Sequence, residues 1–184
     1  MPGNKLLSPQ GLDKIAMLLV SVDRLSSPST KLFSKDVVVF LNEFRCALRL
    51  PGLYNLVNGF HFQQSSFCQL VVTLVQMAYY LSEGLAFLSS KDVIQLPKRL
   101  ENWLWLVSCR CWLIGTLIHF ARLLLHCTSV SPVDLLDDFV IDLTALPMSL
   151  HWSLRRGCGL CTTQLGALGL VSAVTHLRRL LNES

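Results

Sequence analysis

Charge is what this sequence has least of. Only 15% of its 184 residues are Asp, Glu, Lys or Arg, against about a quarter in soluble domains. A large solvated surface is therefore not what this composition builds. Also missing are a Gly-rich phosphate loop, a nucleophile elbow and any pairing of histidine with acid along the chain. Those absences argue against the common enzyme classes, so neither catalysis nor a cofactor is expected. No repeat and no low-complexity tract is present, which argues against solenoids and fibres. Basic and aromatic residues are not interleaved, so a nucleic-acid groove is not expected either. A cleavable leader is not expected, because the first apolar run, Ile15–Val20, is short and no small-residue cleavage site follows it. The Leu-Asn-Glu-Ser ending is neither a prenylation box nor a Ser-Lys-Leu address, so any organelle targeting is expected to be internal.

What the chain does have is apolar residues, at 52%, with a mild net charge of +4 that suits an anionic membrane surface. Its seven cysteines, at 46, 68, 109, 111, 127, 158 and 161, are odd in number and sit mostly in apolar surroundings. They read as free thiols of a reducing compartment rather than a disulfide framework. Cys158 and Cys161 form a lone Cys-x-x-Cys with no second pair at zinc-ribbon spacing, so no metal site is expected.

The most telling stretch is Gly157–Leu177. It has no formal charge over its length and is framed by Arg155-Arg156 and Arg178-Arg179. As a helix it would be about 31 Å long, the thickness of a hydrocarbon core. Gly166, Gly169 and Ala173 line one side, where a second helix can approach closely. It is read as a membrane span ahead of the alternative, a buried helix of a soluble bundle.

Elsewhere the pattern is helical throughout. Gly11–Leu25 places Leu12, Ile15, Ala16, Leu19 and Val22 on one face, with Asp23 at its edge, and Ser26–Ser29 ends it as a turn. About Asp36 to Leu50, the residues Val37, Phe40, Leu41, Phe44, Ala47 and Leu48 form an apolar stripe opposite Asn42, Arg45 and Arg49. Such a helix either packs on a core or lies in a membrane interface with its arginines toward phosphate headgroups; the pattern leaves both open. After a polar joint at 58–66, Phe67–Leu88 is an imperfect span carrying one charge, Glu83. Trp103–Leu125 is long enough to cross. Its tryptophans suit an interfacial belt, while Arg110, His119 and Arg122 are expected to face helices, water or headgroups. Ser131-Pro132-Val133-Asp134 opens a further helix. The acids Asp134, Asp137, Asp138 and Asp142 on its flank read as a solvated face, and Pro147 is expected to bend or end it.

The order of these features resembles the peroxin-11 family of peroxisomal membrane proteins over most of the chain. Gly11-Leu12-Asp13-Lys14 looks like that family's opening Gly-Arg-Asp-Lys, with Leu12 for arginine. Phe44-Arg45 with Leu48-Arg49-Leu50 is similar to its basic amphipathic helix, and Tyr79-Tyr80-Leu81 with Gly84, Phe87 and Leu88 to its Tyr-Tyr-rich helix. Trp103 to Leu113 falls where a Trp-Leu membrane segment is expected. Leu146-Pro147, Leu150-His151-Trp152 and Gly166 to Ala173 resemble its ending, with Ala145 where an acid is usual.

The expected fold is accordingly all-α. It is a membrane-associated helical bundle with an amphipathic interface region at 1–60 and an apolar membrane region at 61–184, one or two of its helices embedded. The resemblance implies a peroxisomal membrane protein that elongates the organelle ahead of division. It further implies self-association, recruitment of fission machinery, and binding to anionic phospholipid through Val37, Phe40, Leu41, Phe44, Arg45, Leu48 and Arg49. Gly166, Gly169 and Ala173 are the expected helix–helix contact. A pore for small metabolites and a soluble helical adaptor are the competing readings. Lys98 and Arg99 before the Trp103 segment predict a cytosolic N-terminal half.

Overall fold

A computed structural model describes residues 5–26, 31–59, 67–125 and 132–182. Ser27–Ser29 of the first expected turn, 60–66 of the polar joint, Cys127 and the capping Ser131 lie outside the described residues. Among those described there is no strand. The elements are a short turn of 3-10 helix at Lys5–Leu7 and seven helices: α1 Pro9–Leu25, α2 Lys35–Arg49, α3 Gly52–Gly59, α4 Phe67–Ser90, α5 Lys98–Leu125, α6 Pro132–Ser153 and α7 Thr162–Asn182.

Local chemistry sets most of these ends. The Ser8 side chain caps α1 by accepting from the Gly11 N–H, and Pro9 occupies the first helical position, where its missing N–H costs nothing. Ser34 caps α2 by accepting from Val37 N–H. That helix stops at Pro51-Gly52, which at once begins α3. Asp92, at φ 57°, turns the chain out of α4, and Pro97 stands just before α5.

Two expectations change here. The uncharged stretch Gly157–Leu177 is not one helix: Gly157 and Gly159 have φ of 68° and 87°, a left-handed conformation that glycine adopts without penalty. The chain therefore turns between α6 and α7, and α7 runs from Thr162 past the arginines to Asn182. Pro147 does not end α6, which continues to Ser153. Among the described residues, the helices of sufficient length and apolarity to cross a membrane are α4 and α5.

Six helices close into a ring. α1 lies along α7, α7 against α6, α6 against α5, α5 against α4, and α2 sits between α4 and α1. The N-terminal stretch thus packs on the last helix rather than standing apart from it. Inside the ring is a cavity of about 670 Å³ lined from all six helices.

The interior is polar and the exterior apolar. Buried polar or charged side chains outnumber buried apolar ones sixteen to eight among the described residues, and the buried apolar set is mostly small, four of the eight being alanine. Meanwhile Phe40, Phe67, Leu74, Leu81, Trp103, Ile114, Leu117 and Leu136 all face outward. Water-soluble cores have the reverse distribution. Many interior hydroxyls bond to carbonyls of their own helix. Ser21 donates to Met17, Thr73 to Gln69, Ser82 to Ala78, Thr116 to Trp112 and Thr144 to Val140. This satisfies them without water.

Candidate functional site

Three helices meet at a buried charge cluster. Asp13 comes from the middle of α1, Arg45 and Arg49 from one face of α2 a turn apart, and Tyr79 and Glu83 from one face of α4 a turn apart. The spacing of four in both α2 and α4 is what aims each pair in one direction. Arg45 Nε donates to Asp13 Oδ1 at 3.1 Å, and Arg49 Nε lies 3.8 Å from the same oxygen. Arg49 Nη1 reaches Glu83 Oε1 at 2.8 Å and also donates to the Tyr79 hydroxyl, which donates to Glu83 at 3.0 Å. Lys14 Nζ is 3.6 Å from Asp13 Oδ2. Burial alone would raise the Asp13 pKa, but Arg45, Lys14 and Arg49 together hold it below the usual carboxylate range.

This geometry assigns the α2 arginines differently from the expectation. Arg45 and Arg49 do not extend toward headgroups; they turn inward and clamp α2 to α1 and α4. The apolar stripe is consequently presented outward. Phe40 is 61% exposed and Val37 40%, while Leu41, Phe44 and Leu48 are half-buried. Phe40 and Phe44 stack at 6.1 Å, so one aromatic ridge runs along the helix.

Gly166, Gly169 and Ala173 lie on the side of α7 that faces α1. A Cβ on Gly166 would come within 2.9 Å of Arg24 Cβ and 3.1 Å of the Ser21 carbonyl oxygen, and one on Gly169 within 2.5 Å of Ser21 Oγ. Ala173 is fully buried. These three residues thus meet a helix of their own chain. His176, one turn on, lines the cavity near Lys14; burial first, then Lys14 and Arg179, pushes its pKa down to about 3.

Of the α6 acids expected to form a solvated face, Asp134 is exposed, but the other three turn to neighbouring helices. Asp137 and Asp142 are buried. Asp137 pairs with Arg178 and Asp138 with Arg179 across to α7, while Asp142 Oδ2 sits 2.6 Å from His119 Nδ1 of α5. Arg110 Nε donates to the Ser153 carbonyl at 3.5 Å, joining α5 to the end of α6. Cys158 and Cys161 are exposed in the α6–α7 turn, where Cys158 Sγ is 3.8 Å from His151 Nδ1. No cluster of three metal-binding side chains occurs among the described residues.

Asp13 and Glu83 are the cluster members that sequence reasoning passed over. The available signal was an acid isolated on an otherwise apolar or uncharged face, which asks for a cationic partner somewhere.

Comparison with known proteins gives one informative finding. The chain is 44% identical over 176 residues to the uncharacterized protein C1F12.04c of Schizosaccharomyces pombe, an alignment covering 96% of this chain and 91% of that one. No protein-family model and no solved structure matches it.

Proposed function

This chain belongs to the same family as that fission yeast protein, and from its own geometry we propose that it is a helical membrane protein that reshapes the bilayer holding it. In this reading α4 and α5 cross the membrane. The carrying observation is the inverted distribution of polarity, above all in α2: Arg45 and Arg49 are neutralised inside the bundle while Val37 and Phe40 look out. Exposed apolar surface of this extent costs roughly 25 cal/mol per Å² in water, and lipid removes that cost. A helix whose apolar ridge enters one leaflet beside two spans displaces lipid on that side only, which favours curvature. Because ion pairs hold α2 to α1 and α4, the wedge keeps its angle rather than rolling with the membrane.

The resemblance to the peroxin-11 family supplies the organelle: we place this activity in the peroxisomal membrane, elongating it ahead of division, with self-association and recruitment of fission machinery. For topology, the ends of α4, α5 and α6 that meet carry Lys91, Lys98, Arg99, Arg155 and Arg156 against Asp92 and Glu101. The positive-inside bias puts that end in the cytosol, so with α4 crossing as well as α5 the chain enters α4 from the other side, in place of the cytosolic N-terminal half expected from the Trp103 segment alone.

Two measurements test the proposal. A tagged full-length chain should stay with peroxisomal membranes through alkaline washing; release into the supernatant would support a soluble adaptor. The purified chain reconstituted into anionic vesicles should draw them into tubules visible by electron microscopy. Phe40→Glu should remain inserted and lose the tubules. Tubulation by Phe40→Glu equal to that of the unaltered chain would remove α2 from the mechanism.

A second reading has its own observation. The cavity inside the ring is lined by Lys14, Arg24, Arg45, Arg49 and Arg122 against Asp13, Glu83 and Asp142, a cationic excess that suits anion passage. Anion-selective conductance in planar bilayers is its signature. A silent bilayer with reconstituted protein leaves the remodelling reading alone.

A further inference from the structure

A groove of about 920 Å³ lies between the first turns of α5 and the end of α6, sharing Trp105, Cys109 and Trp152 with the cavity inside the ring. Its walls contain two cations, Arg99 and Arg155, and no acid. Neither arginine makes an ion pair among the described residues, whereas Arg45, Arg49, Arg178 and Arg179 each have a carboxylate partner. Apart from Asn102 the rest of the groove is mostly apolar: Leu100, Trp103 and Leu106 extend along α5, Leu154 joins them from the end of α6, and Trp103 is 53% exposed. Trp152 forms a fixed wall, stacked on Trp112 at 5.6 Å and covered by the Arg24 guanidinium at 5.9 Å.

We propose that this groove seats one anionic phospholipid of the surrounding bilayer, its phosphate between Arg99 and Arg155 and an acyl chain along Leu100, Trp103 and Leu106. The inference rests on the membrane reading above but uses a different face of the protein from α2. Three features single out a lipid. The positive charge of two exposed arginines with no acid among the groove residues attracts an anion. The continuous apolar wall beside it requires a hydrocarbon chain, which a free phosphate lacks. The position at the start of an apolar helix, among tryptophans, is the depth at which headgroups lie.

The test uses the full-length chain in nanodiscs and the fluorescence of its four tryptophans, three of which line the groove. Phosphatidylserine brominated on an acyl chain is compared with equally brominated phosphatidylcholine at the same mole fraction. The anionic lipid should quench several-fold more strongly. The double substitution Arg99→Gln with Arg155→Gln should lower its apparent affinity roughly tenfold or more, at about 1 kcal/mol for each basic residue near such a surface. Arg156→Gln, beside the groove but outside its lining, should retain the preference. Equal quenching by both lipids, or an undiminished preference in the double variant, overturns the lipid seat while leaving the protein in the bilayer. Displacement of the brominated lipid by millimolar inorganic phosphate overturns it too, in favour of a soluble anion. Quenching by neither lipid overturns the membrane reading and this inference with it.

Discussion

α1 is held on its two sides by different physics. Toward α7 the seam is made of small residues, Gly166, Gly169, Ser172 and Ala173 against Ser21 and Arg24, so backbones approach and little but packing holds them. Toward α2 and α4 the bond is charge: Asp13 with Arg45, Arg49 and Lys14, and Arg49 with Glu83. Packing of this kind has no reach and fails when a methyl group is added. Charge has reach, tolerates small shifts, and fails when one partner is neutralised. The seam therefore fixes the distance of α1 from the body of the bundle, and the clamp fixes the angle at which α2 leaves it.

The largest break should come at the seam. Gly166→Leu puts a side chain where a Cβ already meets backbone atoms of α1 at 3.1 and 3.2 Å. The cost should be about 3 kcal/mol or more, read as loss of protease resistance in detergent at temperatures the unaltered chain survives. Gly169→Ala should cost less, since its nearest neighbour is the movable Ser21 hydroxyl. If Gly169→Leu instead dissolves an oligomer and leaves the monomer stable, the seam also serves a second copy.

The clamp should break next. Asp13→Asn leaves Arg45 and Lys14 without their acid and should destabilise the bundle by about 2 kcal/mol, discounted from the usual figure for a buried pair because both cations are partly exposed. Asp13→Met combined with Arg45→Met should recover part of that loss, since apolar residues of similar volume often replace buried ion pairs. No recovery in the double variant, measured by thermal unfolding, would mean that Asp13 answers chiefly to Lys14 and Arg49.

Acid separates the two sides further. The folded pKa of His176, about 3, lies below its ordinary 6.5, so the unfolded chain takes up this proton first. Its contribution is fully present above about pH 6.5 and is lost progressively as pH falls toward 3. The groups facing it are Lys14 and Asp13 of α1 and Arg179 of its own helix. His176→Gln should flatten the decline between pH 6.5 and 4 in a urea series. The contribution of Asp13, whose pKa is held below 3.8, disappears only at lower pH, so Asp13→Asn should leave that slope unchanged.

The smallest effect belongs to the rim. Arg179→Gln releases Asp138, a half-buried acid in the second turn of α6, and should cost about 1 kcal/mol or less. High salt should mimic it while leaving the clamp intact.

Much of the fold was legible in the residues themselves. Periodicity, capping serines and prolines, and long apolar runs located α1, α2, α4, α5 and the start of α6 closely, because those signals act over one or two turns. They also picked out Phe67–Leu88, as an imperfect span, and Trp103–Leu125, which lie within the two described helices apolar enough to cross a membrane, Phe67–Ser90 and Lys98–Leu125. Boundaries went astray at Pro147, which α6 runs past, at Gly52–Gly59, a short helix that no pattern announced, and at Gly157, where a composition free of charge concealed a turn. Hydropathy does not register backbone conformation, and glycine permits both helix and positive φ.

The candidate site was legible only as unassigned charges. Arg45 and Arg49 share a helix face in the sequence, but whether that face meets lipid or protein depends on Asp13, 32 residues away, and on Glu83, in another helix. Asp137, Asp138 and Asp142 likewise found partners only once Arg178, Arg179 and His119 arrived from elsewhere. By itself the sequence determined that helices form, where most of them begin, and which have faces too apolar for water. Tertiary structure decided which way α2 faces. Burying a charge is tolerable only beside its counter-charge, and no local pattern states which counter-charge the folded chain will bring.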